Sequence, residues 1–540
     1  MGESRRRLAT VMLVLATVVS ACGQNGGAFQ DASEGRQAAA PVQVRDAPDD
    51  FSDGSPGNAG EPGATSAAGA PNAGAPNAGA PNAGATSAAS ESSSASGNAN
   101  ATGETSGSTT TAPPSSSGTA SEPDAALAPA PPHQGLTSDA VKIAFIKLGS
   151  WQNLGANFGV VSIDWGDIDA QAKILVEWIN ANGGIDGRKV EYIVEEYKQE
   201  DASPDVEAQL CQRIADDFGA WAVVLQGQIH LSTRECYAKK GVLMLDPSPF
   251  SFDDDLYAQI SPMYFSPSTP SITRVARALP GALHERGWFT PMVERSESET
   301  KLGIVRWDSP YALRVLEQDL TPALDALGEE IALVHAIDSS DAGTIQSGIT
   351  NGIVRFRAEG INRVIFVGGN PIAPLWFLNA EQHNFTPRYG LTTFDGPAHT
   401  TQQTPNQMRD AMGIGFNPVH DVHDDQFAFP SPENPTEQFC INLLADGGQE
   451  FAARASAEIG LAYCESLLLL RAGAVGLGAS LSAGNWATQV ESLGTSFRAA
   501  VSFANRFAPG RHDGGRGYRL TEHRADCTCF NYVGDVRLFD

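Results

Sequence analysis

Residues 178–188 read Trp-Ile-Asn-Ala-Asn-Gly-Gly-Ile-Asp-Gly-Arg, and this stretch marks the point where a helix gives way to a strand. Gly183 and Gly184 suit a left-handed helix C-cap, because glycine adopts a positive φ without steric cost. Gly187 suits a second turn of the same kind, and Arg188 leads into the next apolar run. The stretch therefore predicts a short connection between a helix and the strand that follows it.

Short apolar runs alternate with amphipathic stretches on both sides of this connection, which is typical of alternating strands and helices. The sequence predicts strands at 141–148, 190–195, 221–225 and 242–245, with helices at 169–182, 205–218 and 232–240. Because each strand returns through a helical crossover, the strands are expected to pair in parallel.

A second set of the same units follows a less regular segment at 262–269. Its strands are predicted at 302–307, 331–336, 363–367 and 389–393, and its helices at 311–327, 344–359 and 373–382. The fold class is therefore α/β, with two doubly wound, Rossmann-like lobes around a ligand cleft. Ligands are expected where the carboxyl ends of the strands meet that cleft.

The remaining sequence predicts a strand at 415–419, helices at 435–444, 450–472 and 486–493, and strands at 518–523 and 528–533. The helix at 450–472 contains four consecutive leucines, but Glu465 and Arg471 flank them, so a core helix on the first lobe is favoured over a membrane span. We expect the first lobe at about 137–265 plus 396–500. The second is expected at about 270–395 plus part of the C-terminal region.

The N-terminus predicts a signal peptide over residues 1–21. Three arginines, residues 5–7, precede an apolar run, and the small residues Ser20 and Ala21 precede Cys22. The apolar stretch 8–21 is shorter than the roughly 20 residues that a spanning helix needs. Residues 19–22 resemble a bacterial lipobox, which implies that Cys22 is acylated and begins the mature chain. The alternative is an ordinary secretory cleavage site. A plain basic n-region is favoured over a twin-arginine signal.

Residues 22–136 are rich in Gly, Ala, Ser, Thr, Asn and Pro, and almost no large apolar side chain interrupts them. Such a segment cannot bury a core, so it is expected to be a disordered tether. Its repeat Ala-Pro-Asn-Ala-Gly at 70–74, 75–79 and 80–84 is typical of a linker. The folded domain is then expected at 137–540, which is long enough for two lobes.

The formal net charge of -27 argues against nucleic acid and anionic lipid head groups as partners, since both require a basic face. Four motifs are absent from the sequence: the nucleophile elbow, the zinc-protease helix, the phosphate-binding loop and the dinucleotide-binding turn. We therefore predict neither an enzyme nor a cofactor. Residues 420–425 read His-Asp-Val-His-Asp-Asp, but no second cluster at ligand spacing supports a metal site, so a solvated loop is favoured.

Six cysteines remain after Cys22, an even number in a compartment where disulfides persist. Local spacing favours three pairs, although other connectivities remain possible. The favoured pairs are Cys211 with Cys236, Cys440 with Cys464, and Cys527 with Cys529. Free or metal-binding thiols are the alternative for the last pair, because a Cys-x-Cys ring is tight.

The run Val-Lys-Ile-Ala-Phe at 141–145 and the turn Asn-Gly-Gly-Ile-Asp-Gly-Arg at 182–188 resemble the leucine/isoleucine/valine-binding family of ABC-transporter substrate-binding lipoproteins. The segments around Cys211 and Cys236 resemble actinobacterial members of that family. The resemblance covers about 140–535 and implies the type 1 periplasmic binding fold.

The resemblance also implies a binding site built from loops of both lobes. In the first lobe, these loops are Gln226-Gly227-Gln228 and Ser248-Pro249-Phe250, which could present backbone N–H groups to an anion. In the second lobe, Asp308 and Tyr311 match an Asp-x-x-Tyr turn. Asn370 replaces an aromatic residue of the family, and Asp395 stands where the family often has an acidic partner for an ammonium group. The remaining ligand-binding candidate is Trp151 in a long loop.

The function predicted from the resemblance is an extracytoplasmic solute-binding protein of an ABC transporter. It would be lipid-anchored to the outer face of the cell membrane and would bind an amino acid, an amide or a short peptide-like molecule. Its expected partners are this ligand and an ABC permease, and it is expected to be monomeric. Phe250 stands where the family commonly has a small residue, which disfavours a standard amino-acid pose. The alternative is a ligand-sensing surface lipoprotein of the same fold without a permease.

Overall fold

The computed structural model describes residues 134–149, 163–198, 203–369 and 372–539. We number the elements within these ranges in chain order. The first strands and helices are β1 Ala140–Leu148, α1 Ile168–Ala181, β2 Lys189–Tyr197, α2 Pro204–Gln212, β3 Ala222–Val224, α3 Leu231–Lys239, β4 Leu243–Leu245, α4 Asp254–Gln259 and β5 Tyr264–Phe265. A π-helical segment, Arg213–Phe218, continues α2.

The second series begins with a helix and continues through five parallel strands. Its elements are α5 Ile272–Glu285, β6 Leu302–Trp307, α6 Pro310–Arg314, α7 Thr321–Asp325, β7 Ile331–Ile337, α8 Ala342–Ala358, β8 Arg363–Val367, α9 Ile372–Gln382, β9 Arg388–Thr392, α10 Pro397–Thr400, α11 Pro405–Met408 and β10 Met412–Gly415. Single turns of 3-10 helix lie at Val293–Arg295 and Thr393–Asp395.

The last elements are α12 Pro418–Asp421, α13 Pro435–Asp446, α14 Glu458–Ala474, α15 Ala483–Ser492, β11 Gly517–Arg524 and β12 Cys529–Leu538. Short 3-10 turns at Ala455–Ala457 and Gly478–Ser480 precede α14 and α15. In the described part of the chain, no helix combines the length and the apolar composition that crossing a membrane requires.

The first sheet has the strand order β2-β1-β3-β4-β5, and every neighbouring pair is parallel. The second sheet repeats this order as β7-β6-β8-β9-β10, again in parallel, and β11 and β12 extend it as antiparallel strands. The sequence prediction of a doubly wound unit built twice is confirmed. Such an order places ligand sites at the carboxyl ends of the strands.

Apolar layers cover the sheets on both faces, as parallel sheets require. One face of the first sheet packs against α1, α14 and α15, and the other packs against α2, α3 and α4. The predicted packing of the leucine-rich helix on the first lobe is confirmed. Tyr463 of α14 also donates its hydroxyl hydrogen to the backbone oxygen of Ile146 in β1, at 2.8 Å.

The chain crosses between the two lobes three times. It leaves the first sheet after β5, returns after β10, and leaves again ahead of β11. Residues 396–416, which we expected with the first lobe, contribute β10 to the second sheet because Met412 to Ile414 pair with β9. The strand ends earlier than predicted because Asn417 caps α12 and Pro418 begins it.

Candidate functional site

The two first-lobe loops that we selected from the sequence lie at the carboxyl edge of the first sheet. Residues 226–228 follow β3, and Gly227 turns the backbone toward α3 with a φ of 70°. Ser248 follows β4 and is buried, while Phe250 is half-buried. The amide of Gln228 is buried near the Tyr237 hydroxyl, yet neither group makes a hydrogen bond of normal geometry with the described residues.

A buried carboxylate, Glu207 of α2, occupies the N-terminus of α3. Its Oε1 accepts hydrogen bonds from the backbone N–H of Ile229 at 3.1 Å and from the Tyr197 hydroxyl at 2.8 Å. It also lies 2.9 Å from the ring Nδ1 of His230. Its Oε2 accepts from the backbone N–H of His230 at 3.4 Å and from the Thr233 hydroxyl. This side chain therefore fills the anion position that a helix N-terminus offers.

The electrostatics around Glu207 favour its ionised form. Burial acts to raise the pKa of Glu207, but the hydrogen bond from His230 and the positive charge of Arg234 outweigh burial and hold that pKa below its usual value. A fixed negative charge therefore lies beneath the loop that follows β3.

A second buried carboxylate, Asp246, organises the loop that follows β4. Its Oδ2 accepts from Arg234 Nη2 and from the Tyr264 hydroxyl, each at 2.8 Å. Its Oδ1 accepts from the backbone N–H of Ser248 at 3.3 Å and from the Ser248 hydroxyl. Arg234 and Asp246 are both fully buried, so the pair is neutral as a unit and fixes the shape of this loop.

The second lobe meets this edge through α6, which follows β6. The ring of Tyr311 packs edge-on against Phe252, with 5.1 Å between ring centroids. Arg314 Nε donates to Asp253 Oδ2 at 2.6 Å. Burial raises the pKa of Tyr311 to about 12. These contacts bring the carboxyl edges of the two sheets together around Tyr311.

Two other second-lobe candidates have different surroundings from those we expected. The Asp308 side chain is 64% exposed and lies 3.6 Å from Arg306. Asp395, which we expected to face the cleft, is fully buried; its Oδ2 accepts from the backbone N–H of Thr392 at 2.6 Å in a capping box, and its Oδ1 has no hydrogen-bond partner among the described residues. Burial raises the pKa of Asp395 to about 7. Asp395 is therefore the acidic residue of the capping box at the N-terminus of the short 3-10 helix.

Three sequence candidates lie outside the described residues. They are the lipidation site Cys22 and the ligand-binding candidates Trp151 and Asn370. The three favoured disulfides are present in the structure, joining Cys211 with Cys236, Cys440 with Cys464, and Cys527 with Cys529.

In the histidine and aspartate cluster at 420–425, which we expected to be a solvated loop, residues 420–422 are buried, whereas 423 and 424 are half-buried and 425 is exposed. The buried His420 contacts His399 Nε2 through its Nδ1 at 3.0 Å, and its Nε2 is 3.5 Å from Glu458 Oε1. Burial lowers the pKa of His399 to about 4 and raises that of Glu458 to about 7. Within the described ranges, no group of three or more His, Cys, Asp or Glu side chains could hold a metal ion.

Sequence reasoning missed several residues at the lobe edge, namely the charged Glu207, Arg234, Asp246 and Arg314 and the aromatic Phe252. One signal could have found two of them. Glu207 lies in the first turn of a helix that follows a strand, and Asp246 directly follows β4. Charged residues at these positions reach the carboxyl edge of a parallel sheet.

Comparison with known proteins identifies a matching family model and several similar folds. Residues 157–421 match the family model of the periplasmic binding protein. No curated protein matches the sequence. An extracellular ligand-binding receptor from Rhodopseudomonas palustris HaA2 has a similar fold, with a TM-score of 0.53 and 15% sequence identity over 73% of this chain and 99% of that chain.

Two further solved structures are similar to the chain. A branched chain amino acid ABC transporter protein from Thermus thermophilus with bound valine gives a TM-score of 0.51 at 14% identity, covering 74% of this chain and 97% of that one. A solute binding protein of an ABC transporter from R. palustris in complex with benzoate gives 0.51 at 14% identity, covering 73% and 96%. At this level of identity the likeness concerns the fold.

Proposed function

Because the chain has a periplasmic binding protein domain of the type 1 fold, we propose that it is the extracytoplasmic solute-binding protein of an ABC transporter. In this proposal, a small ligand binds between the carboxyl edges of the two sheets and stabilises the closed arrangement of the lobes. No bond is made or broken in the ligand.

The observation that carries the proposal is the meeting of the two strand edges. Tyr311 and Arg314 of the second lobe contact Phe252 and Asp253 of the first lobe at the edge where doubly wound sheets bind ligands. Contacts that form only between closed lobes let a ligand shift the equilibrium toward closure. The valine and benzoate bound by two proteins of similar fold support a small ligand.

Ligand-dependent closure is the direct test. The purified protein is screened against small metabolites by thermal shift, and each hit is measured by calorimetry and by small-angle X-ray scattering. We expect at least one metabolite to bind with a raised melting temperature and a reduced radius of gyration. Hits that bind without any change in radius of gyration would contradict closure.

We also propose that Cys22 carries the lipid anchor, on the strength of the lipobox resemblance. Replacing Cys22 by Ser removes the acylated thiol, so we expect the protein to appear in the growth medium instead of the membrane fraction. Retention of the variant after a high-salt wash would contradict the anchor.

We also propose that the protein binds an ABC permease, and co-purification from membranes after cross-linking tests this partner.

A further inference from the structure

The hairpin turn between β11 and β12 carries the disulfide between Cys527 and Cys529, so a single residue, Thr528, separates the two bonded cysteines. Cys527 is half-buried, whereas Cys529 is only 2% exposed. The residues that precede the bridge in the turn, 524–526, are exposed. A solute therefore reaches this disulfide from the Cys527 side.

The ring that the disulfide closes holds Thr528 in an unfavourable backbone conformation. Thr528 has a φ of 51°, which lies in the left-handed region. Among the non-glycine residues with positive φ in the described part of the chain, Thr528 is the one with a branched Cβ. An L-residue adopts this region at a steric cost, and opening the ring removes the restraint. Strain in the oxidised form of the turn therefore favours reduction of the bridge.

The same bridge contributes little to the stability of the fold. Its sequence separation of 2 leaves little loop entropy to restrict, whereas the two longer bridges close loops with separations of 25 and 24. Those two bridges, Cys211–Cys236 and Cys440–Cys464, each join one helix to another. A disulfide that stabilises the folded state is harder to reduce in that state, so the short bridge is expected to be the most easily reduced.

The strained turn is also bonded to a segment at the carboxyl end of β9, residues 396–404. The backbone oxygen of Thr528 accepts a hydrogen bond from Gln402 Nε2 at 2.8 Å and one from the Thr401 hydroxyl at 3.5 Å. A change in φ at Thr528 reorients this carbonyl group, so both donors would lose their acceptor. The conformation of the turn and the position of segment 396–404 are therefore coupled.

We propose that the Cys527–Cys529 disulfide is a redox-sensitive latch on segment 396–404, opened by an extracytoplasmic dithiol before either of the two longer bridges. A thiolate of the dithiol attacks Cys527 Sγ and forms a mixed disulfide, while Cys529 leaves as a thiolate and takes up a proton. The second thiol of the reductant then displaces Cys527, which becomes a thiol, and the reductant is left as a disulfide. Two electrons and two protons pass from the dithiol to the protein.

The test compares the three disulfides within one molecule. The folded mature chain is equilibrated with mixtures of reduced and oxidised dithiothreitol, the free thiols are alkylated, and peptide mapping by mass spectrometry gives the reduced fraction of each bridge. We expect the Cys527–Cys529 bridge to be half-reduced at a ratio of reduced to oxidised dithiothreitol at least about tenfold lower than either longer bridge. Reduction of a longer bridge first, or of all three together, would overturn the latch.

A variant tests the role of the backbone at position 528. Thr528→Gly removes the steric cost of the positive φ, so we expect its bridge to need a roughly tenfold higher ratio for half-reduction. Ser296→Gly is the matched control, because Ser296 is an exposed residue with a φ of 57° outside the turn. We expect this control to leave the ratio unchanged. An unchanged ratio in folded Thr528→Gly would overturn the strain argument.

Hydrogen exchange tests whether the latch releases its segment. We expect faster amide exchange in segment 396–404 after selective reduction of the short bridge, and the same change in the double variant Cys527→Ser and Cys529→Ser. Helix α8 is the internal reference and should exchange at an unchanged rate. Unchanged exchange in segment 396–404 of the reduced wild type would overturn the release. If the double variant does not fold, the reduced wild type decides. These measurements involve no ligand, so their failure leaves the proposed function in place.

Discussion

Arg314 of the second lobe donates from Nε to Oδ2 of Asp253 in the first lobe at 2.6 Å, and Asp255 lies 3.4 Å from the same nitrogen. Asp253 is also the N-cap of α4, where it accepts from the backbone N–H of Leu256. The Asp253 carboxylate therefore caps the N-terminus of α4 in the first lobe and also pairs with Arg314 of the second lobe. We expect this ion pair to form only while the lobes are closed.

Replacing Arg314 by Ala should weaken ligand binding by shifting the lobes toward the open state. Because the pair is partly exposed, we expect a loss of about 1 kcal/mol, close to fivefold in affinity. Calorimetry measures the affinity, and small-angle scattering measures the opening. Arg537→Ala is the control, since Arg537 pairs with Glu285 within the second lobe. Equal losses of affinity in both variants would show that the effect comes from the change in net charge and not from the ion pair between the lobes.

Tyr311→Ala should weaken binding by about 1 to 3 kcal/mol if the ring makes a buried contact with the ligand as well as with Phe252. Tyr311→Phe keeps the ring and its packing, so it should lose less. Calorimetry on both variants measures the difference, and thermal unfolding checks that each is folded. Wild-type affinity in folded Tyr311→Ala would move the ligand away from this residue.

Asp395→Asn should alter stability rather than affinity, because Asp395 is buried in a capping box. Burial raises the pKa of Asp395 to about 7, above its ordinary value of 3.8, so the wild type should lose stability as the pH rises between these values and the variant, measured by denaturant unfolding at several pH values, should gain relative to it. Asp308→Asn is the control, since that side chain is mostly exposed. Lost affinity at unchanged stability would instead support a cation-binding role for Asp395.

Removing the disulfide between Cys211 and Cys236 should lower the free energy of unfolding by about 3 kcal/mol, because it closes a loop with a sequence separation of 25. The double serine variant is compared with the wild type by denaturant unfolding. Serine replacement of Cys527 and Cys529 is the control, because their separation of 2 leaves little loop entropy to restrict. A larger effect from that short pair would contradict the loop argument.

Glu465 should make stability fall as the pH rises. Burial raises the pKa of Glu465 to about 7, while its unfolded value is near 4.5, so the folded state binds more protons between these values. The stability contributed by the protonated form is present below about pH 4.5 and is lost by about pH 7. Glu465→Gln should therefore gain about 3 kcal/mol relative to wild type between pH 4.5 and pH 8.

A carboxylate whose pKa is shifted in the opposite direction provides the control for this prediction. The hydrogen bond from Arg537 holds the pKa of Glu285 below its usual value, so Glu285→Gln should lose stability relative to wild type as the pH rises. Denaturant unfolding at several pH values measures both differences. The same direction in both variants would contradict the assignment of Glu465.

Much of the fold could be predicted because each parallel strand is a short run of apolar residues between amphipathic stretches. Helix α5 was missed, since Pro280 and Gly281 lie inside it and both residues usually end a helix. Tertiary packing stabilises α5 instead, because eight of its side chains are buried and this burial outweighs the low helix propensity of Pro280 and Gly281.

The candidate site could be predicted only in part. Its loops were found because they follow strands, and Tyr311 was found through the family resemblance. The surroundings of Glu207 could not be found, because its partners Tyr197 and Thr233 lie 10 and 26 residues away and meet only when the helices pack. The ligand-binding role of Asp395 stays a prediction, and its capping box could not be predicted because a cap and a ligand contact place the same residue type after a strand.

The three crossings between the lobes have a mechanical consequence. Two of them lie side by side, because Ser266 and Asp513 form a bridge and Gly514 N–H donates to the Ser266 oxygen at 2.8 Å. A single connecting segment would leave the lobes free to rotate about it, whereas several segments hydrogen-bonded to one another resist twisting and allow bending. The lobes are therefore expected to open by rotation about one hinge axis, so that the same side chains meet again each time the lobes close.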